Sequence, residues 1–443
     1  MRSNQLKHPK ELFILALTEM CERYAFWGVG NLLVLYMVQH YDASAASAAK
    51  TYGVFAGFAA FLPLLGGYLV DKWNYHYPLF LGALVNSIGC FMIALGSRPI
   101  LYLALGVMAL GYGFFTPAIL TLLGNAYKKK SEMREKGFSI YYASINVGVF
   151  AAMVSLGFVA HTFGWHYCWI VAGSVQGLGL IPIIIYLKKH YDFEPNKIRE
   201  EKKRLPKLSK IEKDRIIVIL VLIAFSLFFW MPYIQAFSSM AIFGLKFTDR
   251  WIGSYEFPTS WLLSAEPFFL LLLAPILVKF YGFLSKAKKN PSPAMKTALG
   301  LFSSSVFFLI MAIAALSFPA AAKSAHISVL IPIGAYFFLA LGEMLLAPIG
   351  LSLISHLAPK RYNALLIGVW YVCVGVSFYL GGLMAGLIEK ISWPEFFALF
   401  VLLTFSSGLV LTLFASKLSR MSHKNLEDLD KKEFFENQGK AEL

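Results

Sequence analysis

The rhythm of the apolar runs constrains this chain more than any other feature. Twelve stretches, each close to or above the ~20 residues a helix needs to cross a bilayer, follow one another with polar breaks between them. They cover 12–39, 50–70, 78–96, 100–127, 138–162, 166–187, 216–242, 258–283, 297–318, 327–356, 363–389 and 394–416. Backbone groups in hydrocarbon must find partners within the protein, so runs of this length predict helices. Hydrophobic residues make up 58% of the 443 positions and aromatics 16%, more apolar surface than a soluble domain of this size requires. The expected fold class is an all-α membrane protein with twelve transmembrane helices.

The net charge of +15 would suit nucleic acid or anionic lipid, so its placement decides. With a cytoplasmic N-terminus, 32 of the 40 lysines and arginines fall in the inside tails and loops. Six fall outside (Lys50, Arg98, Lys246, Arg250, Lys323, Lys390), and Arg23 and Lys279 lie within or at the end of a span. This asymmetry follows the positive-inside rule. It predicts a multi-pass protein of the cell membrane with both termini cytoplasmic, and membrane lipid rather than nucleic acid as a partner. The longest polar connection, 188–215, contains Pro195 and Pro206 and divides the spans six and six. The expected domains are an N-terminal six-helix bundle at 1–187, a basic linker at 188–215, a C-terminal six-helix bundle at 216–418 and a cytoplasmic tail at 419–443. Two six-helix halves are a transporter arrangement, and a monomer is the expected state. The first apolar run is too long for a cleavable signal and lacks a small-residue cleavage pattern. The four cysteines all lie in apolar runs, with spacing that fits neither a disulfide framework nor a metal site. No metal or cofactor is expected.

Within the first span, Glu19, Glu22 and Arg23 fall at i, i+3 and i+4 and so share one helix face. A charge at the bilayer centre costs roughly 2.5–3.5 kcal/mol on insertion scales. That face must therefore look into the bundle or a water-filled cavity, as a structural ion pair or as a proton or substrate site. Burial favours the neutral form of a carboxyl group and a nearby guanidinium favours the charged form. A conformational change that moves Arg23 relative to the two acids would thus act as a proton switch.

Several motifs resemble those of the proton-coupled oligopeptide transporters of the major facilitator superfamily. Glu19-x-x-Glu22-Arg23-Tyr24-Ala25-Phe26-Trp27-Gly28 is similar to E-x-x-E-R-F-x-Y-Y-G. The helix 4 stretch Gly111-Tyr112-Gly113-Phe114-Phe115-Thr116-Pro117 follows G-x-G-x-x-K-P, and Phe138 to Gly148 follows F-S-I-F-Y-x-x-I-N-x-G. In helix 10, Gly342-Glu343 with Pro348, Gly350 and Leu351 resembles G-E-x-x-x-x-P-x-G-L, and helix 7 carries Phe229-Trp230 and Gln235. The resemblance implies the major facilitator fold, alternating access, and symport of di- and tripeptides with protons. It places the peptide N-terminus on Glu343, the peptide backbone on Asn146, side-chain pockets on Trp230 and Tyr142, and proton coupling on Glu19, Glu22 and Arg23. Thr116, Phe26, Trp27 and Gln235 fall on further substrate-binding positions. Asp71, in the helix 2 loop similar to G-x-L-x-D-R, falls on a gating position.

The departures from that pattern are coherent. Thr116 stands in place of a lysine, Gly30 in place of an arginine, and Ile234 in place of the acid that pairs with that arginine. Losing both members of a buried pair can be neutral, where losing one is not. Glu266, before Pro267 in helix 8, stands where the family usually has asparagine. It is a candidate to take part of the proton or amine role. Two rival readings stay open: a same-fold transporter of a cationic or amide solute with altered or no proton coupling, and a non-transporting nutrient sensor. An enzyme is not expected, because the chain has no P-loop, metal-ligand cluster or Ser/His/Asp arrangement.

Overall fold

The computed structural model describes residues 8–72, 75–127, 133–189, 208–287, 289–319, 326–359 and 362–422. The first half contains α1 (Lys10–His40), α2 (Ala45–Lys72), α3 (His76–Ala94), α4 (Arg98–Ala126), α5 (Arg134–Phe163) and α6 (Trp165–Lys189). The second contains α7 (Lys210–Tyr233), α8 (Ser239–Phe247), α9 (Thr259–Leu263), α10 (Ala265–Lys286), α11 (Pro293–Ala315), α12 (Leu330–Leu357), α13 (Asn363–Ala385) and α14 (Trp393–Met421). Helices α7 and α8 together make the seventh span, and α9 and α10 the eighth. Eleven spans are long and apolar enough to cross a membrane. The 31-residue α1 is the twelfth, set apart by Glu19, Glu22 and Arg23.

The seventh span differs from expectation at both ends. It begins at Lys210 instead of 216, because Ser209 and Glu212 form a reciprocal cap that starts the helix inside a charged segment. It is also broken. A 3₁₀ turn at Ile234–Ala236 interrupts it, and side chains satisfy the freed backbone groups, as a break at membrane depth requires. Ser238 Oγ donates to the Ile234 carbonyl at 2.9 Å, and Tyr336 OH donates to the Ala236 carbonyl at 2.7 Å. Gln235 Nε2 donates to the Gly381 carbonyl at 2.8 Å, while its Oε1 accepts from Ser239 Oγ at 2.5 Å. The expected linker 188–215 thus loses its last residues to α7, and positions 190–207 lie outside the described residues. Of the expected tail 419–443, Ser419 to Met421 belong to α14, and 423–443 lie outside.

Twelve traversals put the ends of α1 and α14 on one side, the termini side. On the far side, Thr248–Asp249 pairs in parallel with Ile327–Ser328, and a hairpin pairs Trp251–Ile252 with Tyr255–Glu256. Gly253 takes φ +63° at the hairpin turn, a conformation glycine adopts without strain. Arg250 ties that hairpin down, donating to the Phe257 carbonyl at 2.8 Å and pairing with Glu256 at 2.5 Å.

The halves meet through α2 against α13 and through α5 against α9 and α10. Hydrogen bonds join them on the far side. The Ala46 N–H donates to Glu389 Oε1 at 2.8 Å, and Trp261 Nε1 donates to the Val154 carbonyl at 2.9 Å. Between α2 and α13 the contact is main chain on main chain. A Cβ on Gly53 would lie 2.5 Å from the Gly382 Cα, and one on Gly57 would lie 2.9 Å from the Gly375 carbonyl oxygen. Gly53 and Gly57 form the small-xxx-small spacing that lets membrane helices approach closely.

Candidate functional site

Two groups of buried polar residues occupy the bundle. The first lies on α1. Glu19 and Glu22 have no exposed surface and Arg23 has 5%. One helical turn carries the Arg23 Nε to the Glu19 Oε1 at 2.6 Å, and Nη1 lies 3.3 Å from Glu22 Oε2, within ion-pair distance. Asn86 on α3 reaches Glu22 Oε1 at 3.4 Å. The Arg23 guanidinium carbon sits 4.9 Å from the centre of the Tyr112 ring on α4, a cation–π arrangement, and Phe26 stacks on that ring at 4.4 Å. Tyr141 on α5 and Tyr371 on α13 are close enough to interact with the charges of Glu19 and Arg23. Tyr371 therefore brings the second half up to a charge group built wholly in the first.

The second group spans the two halves. Glu266, in the first turn of α10, and Glu343, midway along α12, are 2% and 8% exposed. Their carboxyl groups lie within hydrogen-bonding reach of each other. Tyr233 OH donates to Glu266 Oε1 at 3.1 Å, and Tyr142 on α5 reaches Glu343. Asn146 lies one turn from Tyr142 and donates to that residue's carbonyl at 3.2 Å. Trp230 packs edge-on against Tyr233, with ring centres 5.2 Å apart. Glu343 Oε2, Trp230 Nε1 and Thr116 Oγ1 are buried without a hydrogen-bond partner among the described residues.

A profile of the Major Facilitator Superfamily matches residues 15–335. The chain belongs to the Major Facilitator Superfamily. It is a membrane transporter and not an enzyme. It is similar to the peptide transporter YePEPT of Yersinia enterocolitica subsp. palearctica, with 28% identity covering 86% of this chain and 87% of the relative. It is also similar to dipeptide and tripeptide permease B of Photorhabdus asymbiotica, with 24% identity covering 86% and 87%. The solved structure of peptide transporter POT in complex with alafosfalin superposes with a TM-score of 0.84 at 24% identity, covering 94% of this chain and 96% of that one.

Within this superfamily fold, the expected site residues divide. Glu266, Glu343, Tyr142, Asn146 and Trp230 lie in one buried polar group, and Glu19, Glu22 and Arg23 form their own. Phe26 and Gln235 are 0% exposed, one stacked beneath Tyr112 and the other holding the break in the seventh span. Neither presents a surface in this conformation. Trp27 is half-buried against Phe26. Asp71 falls near the end of α2, and its side chain lies outside the described residues. The positions that depart from the peptide-transporter pattern are filled by apolar contacts. A Cβ on Gly30 would meet the Phe55 ring at 3.4 Å, and Ile234 is 1% exposed. Tyr233, Tyr112 and Asn86 are contributors that the sequence did not single out. Tyr233 lies three residues after Trp230, on the same helix face, which was the available signal. Nothing local marks Asn86. Cys90 and Cys168 are buried, whereas Cys21 and Cys373 are partly exposed.

Proposed function

We propose that the protein imports di- or tripeptides or peptide-like compounds across the cell membrane by proton symport, through alternating access, with its termini side in the cytoplasm. One observation carries this reading. A buried carboxyl group in the second half, Glu343, faces Tyr142 in the first half and keeps one oxygen unpartnered. A substrate ammonium bound there would bridge the two halves, so its arrival would alter how they sit together. The names of the relatives above support peptides as the cargo. Glu19, Glu22 and Arg23 serve the proton step in this reading. The contacts on the far side then correspond to a state closed to the outside. Binding and release alternate as the halves rock against each other.

The test is uptake of radiolabelled dialanine into proteoliposomes, with an inward proton gradient and an inside-negative potential. Gradient-driven accumulation is expected, and Glu22→Gln is expected to abolish it while leaving gradient-independent exchange measurable. Uptake that ignores the gradient in the wild type would remove the symport part. Absence of any peptide uptake by folded protein would remove the peptide.

A further inference from the structure

The buried charge of the central pocket is unbalanced. Among the described residues, the buried charged groups within the spans are Glu19, Glu22, Glu266 and Glu343 against the single cation Arg23. Arg23 is already held by Glu19 and Glu22 on its own helix, so the pocket between the halves has two facing carboxyl groups and no cation of its own. Two buried carboxylates side by side repel each other strongly. Neutralising them takes protons, or positive charge brought by the solute. An incoming carboxylate would find no counter-charge there and would add to the repulsion. The donor nearby without a partner among the described residues, Trp230 Nε1, is neutral. It suits a carbonyl oxygen, which accepts without carrying charge.

Resting on the peptide-transport reading, we propose that this site selects solutes carrying an ammonium group at one end and no free carboxylate at the other: aminoacyl and peptidyl amides and similar compounds, in preference to zwitterionic peptides. The ammonium lies between Glu266 and Glu343, and the neutral carbonyl end lies toward the indole N–H of Trp230. Tyr233 and Tyr142 hold the two acids in place through their hydroxyls. Glu266 becomes a specificity-determining residue, because it adds a second buried carboxyl group to the place where the amine would lie and leaves an incoming carboxylate no counter-charge.

The measurement is side-by-side uptake of radiolabelled alanyl-alaninamide and radiolabelled dialanine into proteoliposomes of the full chain. Like-charge contacts in a desolvated site cost several kcal/mol, so kcat/KM for the amide is expected to exceed that for the free acid by about tenfold or more. Glu266→Gln is expected to shrink the ratio to within about threefold while the purified variant keeps a thermal midpoint near that of the wild type. Equal or better transport of dialanine by the wild type overturns this inference and leaves the peptide-transport reading standing. An unchanged ratio in a folded Glu266→Gln variant overturns the role of Glu266. Transport of neither compound overturns both readings.

Discussion

Arg23→Ala is expected to abolish uptake and to lower the thermal midpoint of the purified protein by many degrees. Arg23 is 5% exposed, and both Glu19 and Glu22 depend on it for counter-charge. Removing one member of a buried ionic group leaves the remaining charge uncompensated, at a cost of roughly 3–5 kcal/mol. In this conformation those carboxyl groups have no exposed surface through which water could solvate them instead. Arg23→Lys should be milder for stability yet still damaging to transport. A lysine has one compact ammonium in place of a fork that spans two carboxylates while lying over the Tyr112 ring. The triple variant Glu19→Gln/Glu22→Gln/Arg23→Met separates the two effects. It should regain much of the lost stability, because no unpaired charge remains, and still fail to accumulate substrate against its gradient. Uptake together with thermal unfolding in detergent reads both quantities. Wild-type uptake by Arg23→Ala would show that the group is a structural clamp alone.

Gly53→Val is expected to give a folded protein that does not transport. The added side chain would meet the Gly382 Cα at 2.5 Å and the Phe378 carbonyl oxygen at 3.0 Å. Both are main-chain atoms, so no rotamer change relieves the overlap and α2 must move away from α13. That interface joins two halves that are each packed internally, so the variant can fold with the far side held open. The expected outcome is loss of uptake with a near-normal yield of monodisperse protein. A cysteine introduced in the central pocket should react faster with a membrane-impermeant reagent added from the far side. Normal uptake would show that this glycine contact is not part of the cycle. Unfolding of the variant would place the contact in the fold rather than in its motion.

Spans were legible in the sequence because a membrane helix has a strong one-dimensional signature. Apolar length and the alternation of lysine and arginine locate α2 to α6 and α9 to α14 within a few residues. The break at Ile234–Ala236 was not legible. Pro232 stands just before it, but a proline alone does not say whether a span kinks or breaks, and the groups that hold the break (Gly381 and Tyr336) come from α13 and α12, a hundred or more residues away. The site shows the same contrast. Glu19, Glu22 and Arg23 announce themselves by lying one turn apart on an apolar helix. Glu266 and Glu343 could each be picked out as acids in apolar runs, but their mutual approach depends on how α10 packs on α12, which no local spacing encodes. Phe26 and Gln235 are turned into packing contacts in this conformation for a related reason. Motif position gives the span and the depth, and packing decides which way a side chain turns.

The glycine-lined meeting of α2 and α13 bears on how such a protein can diversify. Where Gly53 meets Gly382, contact runs through main-chain atoms that every sequence shares, and what is specified is the absence of a side chain. The proposed site, by contrast, offers side chains. Carboxyl, hydroxyl and indole groups there can be exchanged to suit a new solute while the two lobes keep docking as before. The same separation makes the pocket a sensible place for engineering, since altered cargo preference need not be purchased with a redesigned gate.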